Sequence, residues 1–272
     1  MTSDPTDDLP IDEVGSWALE KHERLKKYID ASRGARRKFL PPAGTGGASY
    51  IDLYCGSGKS VIRDNGQIID GSPLVAFNCA RAVHAPFSEI HIADQNTERR
   101  AAAATRIKLA GGTANQHQGT ALEAVGSVAN FINPAGLHFA FLDPYNLQDL
   151  PFAVIEQLSR FQRMDMLIHV SVQDLQRNLD RYTQVGDMRL ETFVPGWRDT
   201  VKLNQSQNAI RASLLEFWLN KIKKLGVSPA RGIALVSGEK NQRLYWLVFV
   251  SRSDFATRLW EDIQNPGQRT LF

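Results

Sequence analysis

Apolar residues between residues 48 and 172 alternate between two spacings. Short, mostly apolar runs such as Ala48 to Tyr54 and Leu137 to Leu142 are typical of buried strands. Longer segments between them place apolar residues every three or four positions, as in a helix with one buried face. This alternation predicts right-handed crossovers and a mostly parallel sheet covered by helices on both faces. The predicted strands are 48–54, 89–93, 113–118, 137–142 and 164–172, and the predicted helices between them are 97–109, 121–132 and 152–161.

The N-terminal part of the chain departs from this pattern. Residues 1–11 are acidic and poor in apolar residues, so we expect a mobile tail ahead of one domain at 12–272. Helical spacing from Val14 predicts a helix to about Arg33. Residues 59–70 are expected to form a long polar loop. A helix is then expected with Ser72 as N-cap and Pro73 at its first helical position.

The C-terminal part also departs from the alternation. The stretch 173–228 contains a helical pattern at 209–224 and no convincing strand, which predicts a helical insertion over the sheet. Two strand patterns, 232–237 and 243–251, are joined by five polar or glycine residues and predict a hairpin, so the last strand runs antiparallel. A helix is expected after Ser253. The fold class is therefore α/β: a Rossmann-like, mostly parallel seven-stranded sheet finished by an antiparallel hairpin, which is typical of methyltransferases.

Composition adds limits on class and compartment. The 272 residues are 43% apolar and 22% charged, as in ordinary globular proteins. No apolar run is long enough to span a bilayer, and the acidic N-terminus is unlike a targeting peptide. Cys55 and Cys79 fit neither a zinc site nor a disulfide framework. We therefore expect a cytoplasmic protein with reduced thiols, no metal and no membrane contact.

The net charge is only +3, but eight bases form a stripe between residues 21 and 38. Such a stripe can neutralise the phosphates of DNA or RNA, or it can be the solvated face of a helix. Both interpretations stay open. The bases are Lys21, Arg24, Lys26, Lys27, Arg33, Arg36, Arg37 and Lys38, against Glu23 and Asp30.

The sharpest motif is the glycine loop, which we define as residues 54–58, Tyr-Cys-Gly-Ser-Gly. A buried strand running into Gly56 and Gly58 lets the backbone turn tightly and approach a ligand closely. Asp52, near the strand end, supplies an acceptor for the ammonium group of a bound amino acid. The pattern resembles the first motif of class I methyltransferases and predicts S-adenosylmethionine as cofactor, with Tyr54 and Ser57 also in contact.

The glycine loop has three alternative interpretations. A phosphate-binding loop ending in Gly58-Lys59-Ser60 needs a glycine where Leu53 stands. A nicotinamide fingerprint needs a third glycine where Val61 stands. A glycine pair in a turn that binds no ligand also stays open.

Two further positions fit the cofactor. Asp94, at the tip of the second predicted strand, can accept both ribose hydroxyls, although an aspartate there can also be a helix cap. Thr120, after the third strand, lies where methyltransferases contact adenine. Many of them carry an acid at that position, which Thr120 does not replace.

A second constellation, Asp143-Pro144-Tyr145, ends the fourth strand. It resembles the Asp-Pro-Pro-Tyr signature of methyltransferases acting on exocyclic amines, shortened by one proline. An Asp oxygen and a Pro carbonyl can accept the two N–H bonds of such an amine, while Tyr145 stacks on a base flipped from its duplex. The alternative is a strand-ending turn with a packed tyrosine. An Asp143 buried in a salt bridge would contradict the amine site.

Taken together, the chain resembles the three-Cys-motif partner proteins. The resemblance is carried by residues 13–21 (EVGSWALEK), 50–58, 71–74 and 141–145, in that order. It implies a methyltransferase-like fold and cofactor pocket, and association with a protein that bears a three-cysteine motif. Glu13, Trp17 and Lys21 are expected to share one face that closes over the glycine loop, or else Trp17 is part of the core.

The leading hypothesis is an S-adenosylmethionine-dependent methyltransferase acting on an exocyclic nucleobase amine in DNA or RNA. Its catalytic residues would be Asp143, Pro144 and Tyr145, and methyl transfer requires mainly alignment. The alternatives are a non-catalytic methyltransferase-like scaffold and a small-molecule methyltransferase roofed by the 173–228 insertion.

Overall fold

The computed structural model describes residues 2–231, 233–237 and 243–264. Apart from two short strands within 59–70, its strands and helices alternate from residue 48 to residue 171, at the places where the sequence pattern predicts them. The strands are β1 Thr2–Ser3, β2 Pro10–Val14, β3 Ala48–Asp52, β4 Lys59–Ile62, β5 Ile68–Asp70, β6 Glu89–Ala93, β7 Asn115–His117, β8 Leu137–Leu142, β9 Met164–Ser171, β10 Ser228–Pro229, β11 Ala234–Ser237 and β12 Arg243–Ser251. The α-helices are α1 Trp17–Ala31, α2 Arg33–Arg37, α3 Ser72–Ala82, α4 Thr97–Leu109, α5 Ala121–Phe131, α6 Phe152–Leu158, α7 Val172–Tyr182, α8 Arg189–Phe193, α9 Gln207–Lys224 and α10 Asp254–Gln264.

The main sheet has the order β7-β6-β3-β8-β9-β12, with β10 and β11 both paired to β12. The first five strands are parallel, and β12 runs antiparallel to β9. Since β10 and β11 pair with different parts of β12, the sheet is seven strands wide. The predicted α/β class, with a Rossmann-like methyltransferase fold and an antiparallel hairpin at its end, is confirmed. The hairpin turn, residues 238–242, lies outside the described residues.

Apolar side chains cover both faces of this sheet. One core cluster joins α5, α6 and the helices α7 to α9 to the sheet, and includes the buried Trp197 and Trp218. The other joins α1, α3, α4 and α10 to the opposite face, and includes Tyr28 and Trp260. The stretch 173–228 is helical as expected and ends in the short strand β10. Among the described residues, no helix is both long and apolar enough to cross a bilayer.

A second, small sheet is where the structure departs from the sequence expectations. It has the order β1-β2-β4-β5, with β2 parallel to β4 and β4 antiparallel to β5. Residues 59–70, expected to be a polar loop, are thus a hairpin. Residues 1–11 were expected to form a mobile tail. Instead, the described segment 2–11 packs on α4, because its carboxylates pair with cationic side chains of the fold.

That packing depends on Arg106, whose side chain is 1% exposed. Its guanidinium donates twice to Asp7, and also to the carbonyl oxygens of Pro10 and Ser57. Lys59 pairs with Asp4 at 2.7 Å and with Asp7 at 3.3 Å. The Arg106 guanidinium therefore connects the N-terminal segment directly to the glycine loop.

One helix boundary also differs from prediction. Gly71, not Ser72, is the N-cap of α3, so Ser72 is its first residue and Pro73 its second. The Ser72 hydroxyl is consequently free to donate to Asp52 at 2.6 Å.

Candidate functional site

A cleft of about 1080 Å³ opens at the carboxyl ends of β3, β6, β8 and β9. Open α/β sheets bind ligands at this edge, where neighbouring connections leave toward opposite faces. The cleft walls come from residues 12–22, the glycine loop, the turns after β6 and β8, and the start of α7. Of the predicted site residues, Tyr54, Gly56, Gly58, Asp94, Asp143, Pro144 and Tyr145 line the cleft, whereas Asp52, Ser57 and Thr120 do not.

The glycine loop is fixed by two carboxylates. The Gly56 N–H donates to Asp94 at 3.2 Å, and the Ser57 N–H donates to Asp12 at 2.8 Å. Gly56 has φ of 56°, and a side chain there would come within 2.7 Å of Asp12 Oδ2. A Cβ on Gly58 would come within 2.9 Å of the Ala103 backbone. Both glycines thus allow the protein itself to pack closely around the loop, while the cleft side of the loop stays open.

Asp52 supports the loop from beneath. It is fully buried, and it accepts hydrogen bonds from Ser72 at 2.6 Å, Tyr50 at 3.1 Å and the Tyr54 N–H at 3.2 Å. Burial raises the pKa of Asp52 to about 7, although these hydrogen bonds oppose the increase. Because its oxygens are engaged outside the cleft wall, this placement does not support the direct ammonium contact expected from the sequence.

Asp94 lies in the cleft wall at the tip of β6, as predicted. Oδ2 accepts the Gly56 N–H, and Oδ1 accepts the Asn96 N–H at 2.8 Å. Burial raises its pKa, and these two bonds partly offset the effect. Asp94 is thus held facing both the glycine loop and the open cleft.

Thr120 has a different role from the one expected. Its hydroxyl accepts the Glu123 N–H, and Glu123 bonds back to the Thr120 N–H at 2.7 Å, which forms a capping box at the start of α5. The neighbouring Ala121 lines the cleft instead. The adenine contact expected at Thr120 therefore gains no support from its position.

Asp143 is occupied by a cation. Lys21 of α1 donates to Oδ2, and Nδ1 of His169 lies 3.2 Å from Oδ1. Burial is the largest single effect on the pKa of Asp143 and favours the protonated form, but the neighbouring basic groups, Lys21 foremost, together leave the pKa below the usual value. Burial lowers the pKa of His169 to about 4, so this imidazole is neutral at pH 7 and the contact carries no ion pair. The sequence had predicted a free acceptor for an amine; the structure has a salt bridge.

Tyr145 projects from the mouth of the cleft. Tyr145 is 89% exposed, so it is not the packed tyrosine of the alternative interpretation. An exposed ring next to a ligand-sized cleft can stack on a planar ligand.

The basic stripe is mostly engaged within the protein. Arg24 and Lys27 pair with glutamates one turn away on α1, and Arg33, at the start of α2, pairs with Asp30 near the end of α1. Arg36 is buried and donates to the Ala85 carbonyl at 2.7 Å, and Arg37 donates to the Val83 carbonyl at 2.8 Å. Of the two interpretations left open by the sequence, the phosphate-binding one therefore gains no support from most of this stripe.

Carboxylates outnumber cations in the cleft wall. Two of the four cations are already paired, Lys21 with Asp143 and Arg99 with Asp12 at 2.9 Å. The cleft therefore favours cationic ligands over polyanions. Its acids are Asp12, Glu13, Asp94, Asp143, Asp149 and Asp174, and its Lys and Arg residues are Lys21, Arg63, Arg99 and Arg177.

Sequence reasoning missed three contributors: Asp12, His169 and the pairing of Lys21 with Asp143. Asp12 directly follows the segment that was expected to be a tail. Only the parallel pairing of β2 with β4 brings it to the glycine loop. His169 stands within an apolar strand and gave no signal. The spacing of Glu13, Trp17 and Lys21 was the one available signal, and all three line the cleft.

Comparison with known proteins gives a distant structural similarity. No family model and no curated protein matches this chain. Protein LPL1258 from Legionella pneumophila aligns over 90% of this chain and 93% of its own, with 10% identity and a TM-score of 0.48. The Bacillus cereus O-methyltransferase in complex with SAH aligns over 90% and 86%, with 14% identity and a TM-score of 0.47. M. jannaschii TYW2 in complex with AdoMet aligns over 87% and 75%, with 10% identity and a TM-score of 0.43. Since these TM-scores lie below 0.5, the functional argument depends on the residues of this chain.

Proposed function

We propose that this chain is an S-adenosylmethionine-dependent methyltransferase that holds its cofactor between Gly56 and Asp94. The observation that carries the proposal is the meeting of an open glycine backbone and a fixed carboxylate in one large cleft. The cleft lies at the carboxyl edge of the sheet, where Rossmann-like folds bind adenosyl ligands and an acid accepts the ribose hydroxyls.

The charge of the cleft supports this cofactor over a nucleotide. A phosphate at the glycine loop needs free backbone N–H groups, and Asp12 and Asp94 already accept those of Ser57 and Gly56. Both carboxylates would also repel a phosphate. S-adenosylmethionine carries a sulfonium and an ammonium, which an acidic wall stabilises.

The chemistry follows from this arrangement. S-adenosylmethionine supplies a methyl group bound to a positively charged sulfur, so an acceptor needs only a lone pair and correct alignment. The residues of the cleft would bind and orient the cofactor and the acceptor. Gly56 lets the cofactor approach the backbone, Asp94 fixes its adenosyl end, and the turn after β8 presents the acceptor.

For the acceptor we propose an amine that takes the place of Lys21 at Asp143. The exocyclic nucleobase amine in DNA or RNA that the sequence suggested is disfavoured, because Lys21 already occupies Asp143; the exposed ring of Tyr145 is the one feature that still fits it. The acidic wall and the engaged basic stripe favour small amines instead. Incubation with tritiated S-adenosylmethionine and either adenine-containing oligonucleotides or a panel of alkylamines separates the two. Label in neither acceptor would contradict the amine acceptor and leave the cofactor proposal intact.

The relation to three-Cys-motif partner proteins is likewise a proposal, supported by the motif order from Glu13 to Tyr145. A partner bearing a three-cysteine motif would then bind this chain. Mixing the purified proteins and measuring their joint elution would test it, and separate elution would count against it.

Calorimetry tests the cofactor. Wild-type protein is titrated with S-adenosylhomocysteine, alongside Asp94→Ala and the control Lys38→Ala, which lies outside the cleft. A hydrogen bond to a charged group is worth about 1.5–3 kcal/mol, so Asp94→Ala should weaken binding roughly tenfold or more while Lys38→Ala does not. Absence of binding at millimolar ligand would contradict the enzyme and favour the scaffold.

A further inference from the structure

Lys21 differs from the other bases of its helix in where its ammonium lies. The residue is 9% exposed and its side chain enters the cleft that also contains Gly56 and Asp94. Arg24 and Lys27, one and two turns further along α1, point outward and pair with glutamates. One primary amine of the protein thus lies inside the proposed cofactor cleft.

The surroundings of this amine are those of an amine-binding site. Asp143 accepts a hydrogen bond from Nζ, and the ring of Tyr245 lies with its centroid 5.9 Å from Nζ. A carboxylate and an aromatic face are the groups that hold ammonium ions in proteins. Lys21 therefore occupies the position at the end of β8 where the proposed acceptor would bind.

The neighbouring titratable groups leave this ammonium with one strong ionic partner. His22 and His169 both line the cleft, and burial lowers the pKa of each to about 4, so both are neutral at pH 7. A cationic ligand bound at Gly56 would add positive charge to the same cleft.

We propose that Lys21 is itself a methyl acceptor, modified in its own cleft. This inference rests on the proposed cofactor. The ammonium first loses a proton to solvent in the open cleft. The Nζ lone pair forms a bond to the methyl carbon, the methyl–sulfur bond breaks with its electron pair on sulfur, and the positive charge ends on the methylated nitrogen. An alkylamine has a localised lone pair, so this reaction does not need the second proline that the Asp143-Pro144-Tyr145 motif lacks.

Methylation would change the site. Each methyl group removes one N–H donor from Lys21 and adds bulk, while the positive charge is kept. A fully methylated Lys21 can no longer donate to Asp143, whose Oδ2 then becomes free to accept an N–H of another amine. Self-methylation would therefore convert an occupied acceptor site into an open one.

Mass spectrometry tests the inference without a known substrate. The full chain is incubated with S-adenosylmethionine carrying a deuterated methyl group, which distinguishes new methylation from methylation acquired during expression, and is then digested and sequenced. We expect label on Lys21 and none on Lys59, which adjoins the glycine loop but pairs with Asp4 and Asp7. Lys21→Arg should lose all label, and Asp94→Ala should lose most of it.

A second readout needs no turnover. In protein with ¹³C at lysine Cε, the Lys21 signal is assigned by its disappearance in Lys21→Arg. It should shift when S-adenosylhomocysteine is added to the wild type, and should stay unchanged in Asp94→Ala.

The outcomes separate this inference from the proposed function. Binding of S-adenosylhomocysteine without label on Lys21, or with label only on another residue, overturns the inference and leaves the cofactor proposal intact. No binding at all overturns both. A labelled fraction that rises with protein concentration means that one copy modifies another, which overturns modification within the same cleft.

Discussion

Two aspartates at opposite edges of the same sheet, Asp143 half-buried and Asp165 buried, are held in different ways. Asp143, at the carboxyl edge, faces the Lys21 ammonium. Burial raises the pKa of Asp143, but Lys21 and the other basic groups nearby leave it below the usual value. Asp165, at the amino edge, accepts hydrogen bonds from the hydroxyls of Tyr28 at 2.6 Å and Ser251 at 2.5 Å. Burial raises the pKa of Asp165, because neutral donors compensate a buried charge less than a cation does.

The cavities at the two edges also differ in the charged residues that line them. The carboxyl-edge cleft of about 1080 Å³ is lined by more acids than bases. A pocket of about 460 Å³ at the amino edge has Arg36, Lys38, Arg163 and Arg252 in its wall, with Asp165 as its acid. A carboxylate in a pocket wall does not by itself indicate a site: both oxygens of Asp165 accept hydrogen bonds from neighbouring hydroxyls, whereas Asp143 is paired with a cation and faces the larger cleft.

The largest expected effect comes from removing the charge pairing beneath the cleft. Arg106→Ala leaves Asp7 without its main partner and releases the Ser57 carbonyl. Breaking a buried pair in this way costs about 3–5 kcal/mol in the free energy of unfolding, measured by urea denaturation. The control Arg24→Ala removes an exposed pair with Glu20 and should cost less than about 1 kcal/mol. Equal losses in the two variants would mean that the N-terminal segment does not depend on Arg106.

A smaller effect is expected at the amino edge. Asp165→Ala leaves two buried hydroxyls without an acceptor, at a cost of about 1–3 kcal/mol in the free energy of unfolding. Binding of S-adenosylhomocysteine, measured by calorimetry on the folded variant, should be unchanged because Asp165 lies outside the cleft. Weakened binding would show that the two edges are coupled.

The pH dependence of stability should have opposite signs for the two aspartates. The folded-state pKa of Asp143 is lowered, so its stabilisation is present above the unfolded-state pKa and is lost as pH falls through the folded-state value. The folded-state pKa of Asp165 is raised, so stability falls as pH rises from the unfolded-state value through the folded-state value.

The measurement is the free energy of unfolding of the wild type, Asp143→Asn and Asp165→Asn between acid and neutral pH. Relative to wild type, Asp143→Asn should lose most stability at neutral pH, and Asp165→Asn should compare most favourably there. One pKa unit corresponds to about 1.4 kcal/mol, so differences on the order of 1 kcal/mol are expected. If the free energies of unfolding of the two variants changed with pH in the same way, the opposite signs expected for Asp143 and Asp165 would be wrong.

The smallest effect is expected at the cleft mouth. Tyr145→Ala removes an exposed ring, so the free energy of unfolding should change by less than about 0.5 kcal/mol. Affinity for S-adenosylhomocysteine should also stay the same, which restricts Tyr145 to a role with the acceptor. A large loss of stability would show that the ring packs against the protein in solution.

Much of the main sheet could be predicted because its signals are local. The runs at 89–93 and 137–142 are apolar throughout most of their length, and β6 and β8 have those bounds. Gly56, Asp94 and Asp143 could be placed in one cleft because each follows a parallel strand. The β4–β5 hairpin was missed because its strands have only four and three residues and pair with the N-terminal segment instead of the main sheet.

The sequence by itself determined which residue types stand at the strand tips, since periodicity assigns the strands and parallel strands share an edge. Only the tertiary structure decided what each carboxylate contacts. Lys21 and Asp143 are 122 residues apart in the chain, and Asp12 and Ser57 are 45 apart. Partners at such separations leave no local pattern, because they depend on where the helix α1 and the strand β2 come to lie across the sheet edge.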